Sequence, residues 1–450
     1  MAFCSSTMQS KRIKVNLITL GCSKNTVDSE NLAGALADGG LKVFFDRRNN
    51  DCDVVVVNTC GFIGDAKEES VNTILQQVDV KQRGRKRRLL VVVGCLVERY
   101  KADLQKELPD VDAWFGVHEW REIADYVTEW ASSQTQSSAR TPRQSGRMQS
   151  TPTHYAYLKI SEGCNRSCSY CAIPLIRGRH VSRPMEDIVD EAKRLVQSGV
   201  KELLVIAQDT TFYGLDLYGE RRLAQLLDRL AQESGADWIR LHYTYPASFP
   251  LEVIDVMARH DNICKYLDIP LQHINSRLLA SMQRNIDREA TLSLIDTIRR
   301  CIPDITLRTT LIVGYPGETE AAFLELKSFV ADARFDRLGA FTYSQEEGTP
   351  AQKLGDPVPD DEKQRRLAEI MELQDSISFE KNQRLVGQTI RVLIDRREGE
   401  YFIGRSQADS PEVDDEVIIS VGKQAVPRIG YFCNVRVTQA FEHDVMAEMV

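Results

Sequence analysis

Long apolar runs are missing from this sequence: none approaches the roughly 18 consecutive residues of a membrane-spanning helix, so no membrane span is predicted. The N-terminal stretch MAFCSSTMQSKR has no apolar segment, which predicts that it is not a secretory signal. Internal repeats of the solenoid type are absent. An excess of positive charge is also missing: the formal net charge is −8, which is not the balance of a general nucleic-acid binder. Together these absences predict a cytoplasmic globular protein.

The composition is otherwise ordinary for a globular chain. Of the 450 residues, 42% are hydrophobic and 27% are charged, which predicts real cores and two or three domains. Eleven cysteines without an export signal indicate reduced thiols. Where such thiols cluster, metal binding or catalysis is the favoured reading.

The first part of the chain alternates strand and helix patterns. The runs IKVNLITL, DVVVVN and LLVVVG are short and rich in Val, Ile and Leu, and an amphipathic helical pattern follows each of them. This alternation predicts an N-terminal α/β domain with a buried parallel sheet over residues 11–130. Residues 131–153 are rich in Ser, Thr, Gln and Arg, which predicts a flexible linker.

A second α/β series follows the linker. Six candidate strands, YAYLKIS, ELLVIAQ, WIRLHYT, KYLDIPL, DITLRTTLIVG and RLGAFTYS, are separated by helical patterns and predict a partial (β/α)6 barrel over residues 154–383. A long polar helix from Pro359 to about Val386 leads out of it. The strand-like runs in residues 387–450 have no helices between them, which predicts a small OB-like β-barrel.

Three cysteines, Cys164, Cys168 and Cys171, lie in the loop SEGCNRSCSYCAIP after the first barrel strand, and a fourth is missing. A structural zinc site has four protein ligands, and His180 is the only histidine nearby. Closely spaced thiolates on a short loop are typical of iron–sulfur clusters. A cluster with one iron left open is therefore favoured over zinc or over thiols buried in a core.

A second trio of cysteines is scattered through the first domain. Cys22, Cys60 and Cys95 each come directly after a predicted strand and before a helix. Because the carboxyl ends of parallel strands share one edge of a sheet, the three thiols are expected to converge there. The alternative is three unrelated small residues at strand ends. The other five cysteines are interpreted as structural or surface residues: Cys4, Cys52, Cys264, Cys301 and Cys433.

The motifs around the six cysteines resemble a known family. CNRSCSYC is similar to the signature of the radical S-adenosylmethionine (SAM) enzymes, and with GCSKNTVDSE, VNTCGFI and VVGCLVERY it resembles the methylthiotransferases. The resemblance extends from about Ile13 to Phe441. The stretches AQDTTFYGLDLYG, LDIPLQHINSRLLASMQR and RTTLIVGYPGET are most similar to the branch that modifies a ribosomal protein. Two features depart from it: the linker is long, and the run KQRGRKRR (81–88) has six basic residues in eight.

The resemblance implies the cofactors and the reaction. It implies a cluster domain, a radical SAM barrel and a C-terminal TRAM domain, with two 4Fe-4S clusters and SAM as cofactors. The trio Cys164, Cys168 and Cys171 would hold the SAM-cleaving cluster, and the trio of the first domain would hold the sulfur that is transferred. No catalytic residue is assigned beyond these cysteines. Candidate cofactor-binding residues, placed late in or just after barrel strands or beside a ligand, are Tyr170, Gln208 and Arg308.

The implied substrate is an aspartate of the small-subunit ribosomal protein S-twelve, methylthiolated at its β-carbon, either free or on the ribosome or an assembly intermediate. An electron donor such as flavodoxin is also expected. The first alternative is a tRNA adenosine methylthiotransferase. Residues 387–450 carry seven basic and eleven acidic side chains, a net charge of −4, which favours a basic protein over RNA as partner. The second alternative is a non-catalytic iron–sulfur sensor or scaffold.

Overall fold

A computed structural model describes residues 12–48, 51–84, 87–135, 146–420 and 426–450, so Cys4 lies outside the described residues. The chain divides into two compact units. The first contains the described residues up to Ser150 together with Leu175–Arg177, and the second contains the remainder. None of the helices in the described ranges is long and apolar enough to cross a membrane.

The first unit is built on a five-stranded, fully parallel sheet with the strand order β2-β1-β3-β4-β5. The predicted strands form its centre, where β3 and β4 are buried on both faces. The sequence did not reveal β2 and β5, because they are short edge strands without a long apolar run. The strands are β1 (Lys14–Thr19), β2 (Lys42–Phe45), β3 (Val54–Thr59), β4 (Leu89–Gly94) and β5 (Ala113–Phe115).

Helices cover both faces of this sheet. Leu32 and Leu36 of α1 pack with Ile123 and Val127 of α4 in one core cluster, and Ile74 and Leu96 lie in a second. The helices are α1 (Ser23–Asp38), α2 (Gly64–Arg83), α3 (Cys95–Glu107) and α4 (Trp120–Thr135).

Part of the predicted linker is structured. Helix α4 extends into it as far as Thr135, and residues 136–145 lie outside the described ranges. The next described residues run beside α1: the backbone N–H of Met148 donates to the carbonyl oxygen of Glu30 (3.0 Å), and Ser150 donates to the Glu30 side chain. The segment just before Thr151 is therefore anchored on the first unit.

The second unit begins with a six-stranded parallel sheet in the order β6-β9-β10-β11-β12-β13, which confirms the six predicted strands and the partial barrel. A short antiparallel pair, β7 with β8, closes the loop after β6. The strands are β6 (Tyr155–Lys159), β7 (Ser161–Glu162), β8 (Val181–Ser182), β9 (Glu202–Ile206), β10 (Trp238–Leu241), β11 (Ile263–Asp268), β12 (Thr306–Val313) and β13 (Arg337–Thr342).

Amphipathic helices pack on the outside of this sheet, and their apolar faces form the largest core of the protein. These helices are α6 (Met185–Gln197), α8 (Leu223–Glu233), α9 (Glu252–Arg259), α11 (Arg288–Cys301), α12 (Glu320–Ala333) and α13 (Asp360–Gln383). Three shorter helices are α5 (Ile173–Arg177), whose last three residues belong to the first unit, α7 (Leu215–Tyr218) and α10 (Ser276–Ser281).

The C-terminal segment of the second unit is a closed five-stranded barrel, as predicted, in the order β14-β15-β16-β18-β17. Only the β16–β18 pairing is parallel. The last strand was missed in the sequence because VMAEM is short and mixed in polarity. The strands are β14 (Thr389–Glu398), β15 (Tyr401–Arg405), β16 (Val417–Ser420), β17 (Phe432–Ala440) and β18 (Val445–Met449).

A buried polar seam joins this small barrel to the amino ends of the (β/α)6 strands. Glu202, at the start of β9, accepts hydrogen bonds from Arg240 Nε (2.7 Å) and from Arg405 Nη1 of the small barrel (2.7 Å). Arg405 also pairs with Asp395, whose Oδ1 lies 2.8 Å from His154 Nε2. Charges this deeply buried require partners, and here the C-terminal barrel provides them.

The acidic residues of the C-terminal segment provide much of the seam. Two barrel arginines bind them: Arg308 Nε lies 3.1 Å from Asp414, and Arg337 pairs with Asp409 and Asp415. The hydroxyls of Tyr155 and Tyr157 donate to Glu412. Part of the acidic excess of this segment is therefore paired within the second unit, while Glu398, Glu400, Glu442 and Glu448 are exposed, so the charge argument for a basic protein partner stays a prediction.

Replacing Asp415 with asparagine is expected to stabilise the protein at about pH 8. Burial, together with the carboxylates of Asp409 and Asp414, raises the pKa of Asp415 to about 7, even though Arg337 is near, because that guanidinium also serves Asp409. When folding raises the pKa of a carboxyl group, the folded protein loses stability as the pH rises through the folded-state pKa of that group. The thermal midpoint of Asp415→Asn should exceed that of the wild type at about pH 8, by a margin that shrinks toward about pH 4. A constant margin would contradict the prediction.

Candidate functional site

The loop that carries Cys164, Cys168 and Cys171 begins at the carboxyl end of β6, with the β7–β8 pair at its base. Gly163 has a φ of +75°, and a side chain there would place its Cβ 2.1 Å from the carbonyl oxygen of Arg179, so only glycine fits. The N–H of Cys164 donates to the carbonyl oxygen of Gly178 (3.1 Å). The loop is thus fixed at both ends before any ligand binds.

Each of the three sulfurs in this loop accepts an N–H group from the protein. Cys164 Sγ accepts from the backbone of Arg166 (3.4 Å), Cys171 Sγ from the backbone of Ile173 (3.5 Å), and Cys168 Sγ from Arg284 Nη1 (3.4 Å). Donors of this kind stabilise thiolates and set the reduction potential of a cluster that the thiolates hold.

Arg284 is the main cation beside this trio. It is 4% exposed, stacks on Tyr245 with 4.2 Å between its guanidinium carbon and the ring centroid, and donates to the Tyr170 hydroxyl (3.4 Å). The Tyr245 hydroxyl in turn lies 3.6 Å from Cys168 Sγ. No sequence pattern marked Arg284 or Tyr245, because they lie 116 and 77 residues from Cys168 along the chain.

The donor set fits a cluster. Burial raises the pKa of Cys164 to about 11 and that of Cys171 to about 12, and the mutual proximity of the thiols adds to both. Such thiols ionise only when a metal supplies positive charge. In the described part of the chain, no three His, Cys, Asp or Glu side chains converge on one point as ligands of a single ion would. Cluster ligands need not converge, because each binds a different iron.

His180 does not complete a zinc site. Its Nε2 lies 3.1 Å from Ser182 Oγ and 3.8 Å from Asp216 Oδ1, and burial lowers its pKa. The histidine that could have supplied a fourth ligand is thus engaged with β8 and α7. This favours the cluster interpretation.

The other candidate residues have different surroundings. Gln208 lies two residues after the end of β9, and its Nε2 donates to Glu162 (2.6 Å). Its Oε1 is buried and has no hydrogen-bond partner among the described residues. A ligand that donates a hydrogen bond would satisfy that oxygen. Tyr170 is half-buried beside Arg284. The roles predicted for both residues in SAM binding stay predictions.

Arg308 does not lie where the sequence analysis expected it. It was predicted late in its strand, but it is the third residue of the eight-residue strand β12. Its guanidinium pairs with Asp268 (3.2 Å) and with Asp414 of the C-terminal barrel. The expected position was wrong, since five residues of the strand follow Arg308 and its guanidinium is taken up by these two ion pairs, and the SAM contact stays a prediction without a geometric basis.

The second trio lies at the carboxyl edge of the sheet in the first unit, as predicted. Cys22 directly precedes α1, Cys60 follows β3, and Cys95 opens α3. Glycines bring the three loops together: a Cβ on Gly21 would lie 3.0 Å from Cys60 Sγ, and one on Gly61 would lie 2.8 Å from the backbone of Leu96. The sheet therefore does gather the scattered cysteines.

Two polar side chains surround this trio. Asn25, one turn into α1, donates to the carbonyl oxygens of Leu20 (2.7 Å) and Thr59 (3.1 Å). Arg177, 3% exposed, pairs with Asp28 (2.6 Å) and donates to Asn25 and to Cys95 Sγ (3.5 Å). The sequence did not single out either residue, since nothing in their spacing links them to the cysteines.

Electrostatics within this trio match those of the first loop. Burial raises the pKa of Cys60, and it raises the pKa of Cys95 to about 12, with further contributions from the neighbouring thiols. Cys22 is exposed, so the site opens to solvent on its side. These residues also fit a cluster with three thiolate ligands and one open iron.

The remaining described cysteines join neither trio and are free thiols. Cys52 precedes β3, at the end of the sheet opposite Cys60, and Cys264 and Cys433 lie on β11 and β17. Cys301 is exposed at the end of α11.

Comparisons with known proteins cover most of the chain. The profile of the radical SAM superfamily matches residues 158–330, that of uncharacterized protein family UPF0004 matches residues 14–116, and that of the TRAM domain matches residues 386–450. A ribosomal protein uS12 methylthiotransferase RimO of Cytophaga hutchinsonii is 52% identical over 445 residues, with 98% of each chain covered. The protein of that name in Phocaeicola vulgatus is 50% identical, covering 98% of this chain and 100% of the relative.

Solved structures agree with the fold. The radical SAM methyltransferase TsrM of Kitasatospora setae, solved with cobalamin and a 4Fe-4S cluster bound, matches with a TM-score of 0.55 and 16% identity over 76% of this chain and 74% of that chain. At that identity the likeness shows a shared fold and nothing finer.

Proposed function

The chain belongs to the RimO family of ribosomal protein uS12 methylthiotransferases, and from this premise we propose that its two cysteine trios hold two 4Fe-4S clusters for methylthiolation of an aspartate β-carbon in that ribosomal protein. It is a radical SAM enzyme that uses SAM and iron–sulfur chemistry. The observation that carries the proposal is the pair of sites, each with three thiols and, among the described residues, no fourth cysteine. An open iron in each would serve SAM in one site and the transferred sulfur in the other.

The residues of the second unit have definable roles toward the bound cofactors. When bound, cluster and SAM together supply one-electron chemistry that no side chain provides. Arg284 holds positive charge against Cys168 and fixes Tyr170 and Tyr245 around it. Arg166 pairs with Asp209 (2.6 Å) and stacks on the ring of Tyr245 (3.9 Å), which places a second guanidinium on the aromatic ring that Arg284 also contacts.

In the first unit the chain supplies a cation at the matching position. Arg177 contacts Cys95 Sγ and is oriented by Asp28 and Asn25. A buried guanidinium next to thiolates offsets part of the negative charge that they bring to a cluster. Each trio is therefore built from three thiols and one buried arginine.

The finer features of the function are part of the same proposal. The aspartate substrate is free or on an assembling small subunit, the electrons come from a donor such as flavodoxin, and the reaction takes place in the cytoplasm, where thiols stay reduced. The six cysteines act as cluster ligands.

The deciding experiment offers two substrates to anaerobically reconstituted enzyme with reductant and SAM. A peptide spanning the target loop of the ribosomal protein should gain the mass of one methylthio group, and tRNA should not. Modification of tRNA alone would overturn the proposed substrate. Absence of both products, with clusters loaded, would favour the sensor or scaffold alternative.

A further inference from the structure

A basic surface of the first unit lies at the amino ends of its strands, at the opposite end of the sheet from the three cysteines. Two clefts of about 410 and about 400 Å³ meet there at Arg88, which precedes β4. Their cationic lining residues are Arg47, Arg48, Lys81, Arg87 and Arg88. These five residues, which we call the basic edge, include three of the four described basic residues of the run at 81–88, which the methylthiotransferase function leaves unexplained. Arg85 and Lys86 lie outside the described residues.

The positive charge of the basic edge exceeds the acidic groups that line it. Two carboxylates line the clefts, Asp79 and Asp112, and each already has a cation: Asp112 binds Lys81 (2.7 Å), and Asp79 binds Arg83 (2.8 Å). Arg47 has a carboxylate beside the clefts, because its Nε lies 3.6 Å from Asp51 Oδ1. Arg48 and Arg87 are exposed, and neither forms an ion pair with any residue that the structure describes. Exposed cations without local carboxylates favour a polyanionic partner.

Aromatic side chains lie beside these cations. Tyr126 and Trp130 line the second cleft together with Arg87 and Arg88, and both are half-buried, so one part of each ring remains accessible. Gln76 and Gln77 line the first cleft. Proteins bind single-stranded nucleic acid with surfaces of this kind: the cations contact phosphates, and the aromatic rings stack on bases.

We propose that the basic edge binds single-stranded RNA, with Arg47, Arg48 and Arg87 on phosphates and Trp130 against a base. The proposal rests on the proposed function only for the source of the strand, ribosomal RNA next to the substrate protein in an assembling subunit. An acidic peptide could use the cations but would gain nothing from Trp130. RNA is therefore the occupant that uses the whole surface.

The test measures binding of a fluorescein-labelled 12-nucleotide oligouridylate to the full chain by anisotropy, at several salt concentrations. The triple variant Arg47→Glu, Arg48→Glu, Arg87→Glu should lose at least about tenfold in affinity. Its slope of log affinity against log salt should be shallower by about 2, because each phosphate contact in a single strand contributes roughly 0.7. Trp130→Leu should lose at least about fivefold through lost stacking.

The matched control changes the same amount of charge elsewhere: Lys101→Glu, Lys106→Glu and Arg300→Glu replace exposed cations of α3 and α11. It should bind oligouridylate like the wild type after correction for net charge. Equal losses in both triple variants, or equal affinity for a poly-glutamate of matched charge with no effect of Trp130→Leu, would overturn the RNA site.

Activity separates this inference from the proposed function. The basic-edge variant should methylthiolate the free peptide at the wild-type rate, because its changes lie at the opposite end of the sheet from Cys22, Cys60 and Cys95. It should be slower than the wild type on assembling small subunits. Wild-type enzyme that binds RNA but never modifies the peptide would defeat the proposed function alone; equal rates of both enzymes on subunits would defeat ribosomal RNA as the source.

Discussion

Replacing Cys164 with alanine is expected to abolish 5′-deoxyadenosine formation while the first unit retains its iron. Cys164, Cys168 and Cys171 are the only thiols of their loop, so the variant offers two thiolates where the wild type offers three. A cluster with two thiolates is not held stably, and SAM is then not cleaved. Product by mass spectrometry, with at least a thousandfold loss expected, and iron content reduced by about half relative to the wild type measure the two effects.

Two other cysteine variants calibrate this result. Cys95→Ala removes a proposed ligand of the first unit, so it should keep 5′-deoxyadenosine formation and lose methylthiolation. Cys301→Ala removes an exposed thiol outside both trios and should change neither. If Cys164→Ala kept full SAM cleavage, or if Cys95→Ala abolished it, the assignment of one cluster to each trio would be wrong.

The sequence predicted the six cysteines for a physical reason. A buried parallel strand appears in the sequence as a continuous apolar run, so the residue that follows the run lies at the carboxyl end of the strand. Cys22, Cys60 and Cys95 could therefore be placed on one edge of the sheet without any spacing motif. The trio of the Cys164 loop was easier to predict, because its three cysteines lie within eight residues of one another. The same logic located the central strands of both sheets and most of the strands of the C-terminal barrel.

What the sequence did not reveal depends on contacts between distant segments. Arg177 and Arg284 reach their thiols across 82 and 116 residues, and no local pattern marks an arginine as buried. Arg308 was misplaced for the same reason: its carboxylate partners come from β11 and from the C-terminal barrel. The acidic excess of residues 387–450 could be counted from the sequence. The sequence did not show that some of these carboxylates lie in a buried seam.

That seam leads to a large stability effect: Glu202→Gln should lower the free energy of unfolding of the second unit by about 3–5 kcal/mol. Glu202 is fully buried between Arg240 and Arg405, and the variant keeps its shape but leaves two buried guanidiniums with one carboxylate, Asp395, for partner. The flanking arginines hold the pKa of Glu202 below its usual range. The contribution of ionised Glu202 to the free energy of unfolding is therefore complete above its ordinary pKa of about 4.5, and it is lost as the pH falls through the folded-state pKa.

Urea denaturation at neutral pH measures this loss in the free energy of unfolding. Hydrogen exchange of the backbone amides of β14 and β15 reports it locally, on the strands next to and including Arg405. The matched control is Glu233→Gln, which removes a surface carboxylate that also contacts two cations, Arg229 (2.7 Å) and Lys193 (2.8 Å). Solvent screens those ion pairs, so their loss should be small beside that of Glu202→Gln. Similar losses in both variants would mean that water reaches Glu202. A large loss confined to Glu202→Gln would mean that the C-terminal barrel is held on the catalytic domain by charge that neither domain could bury alone.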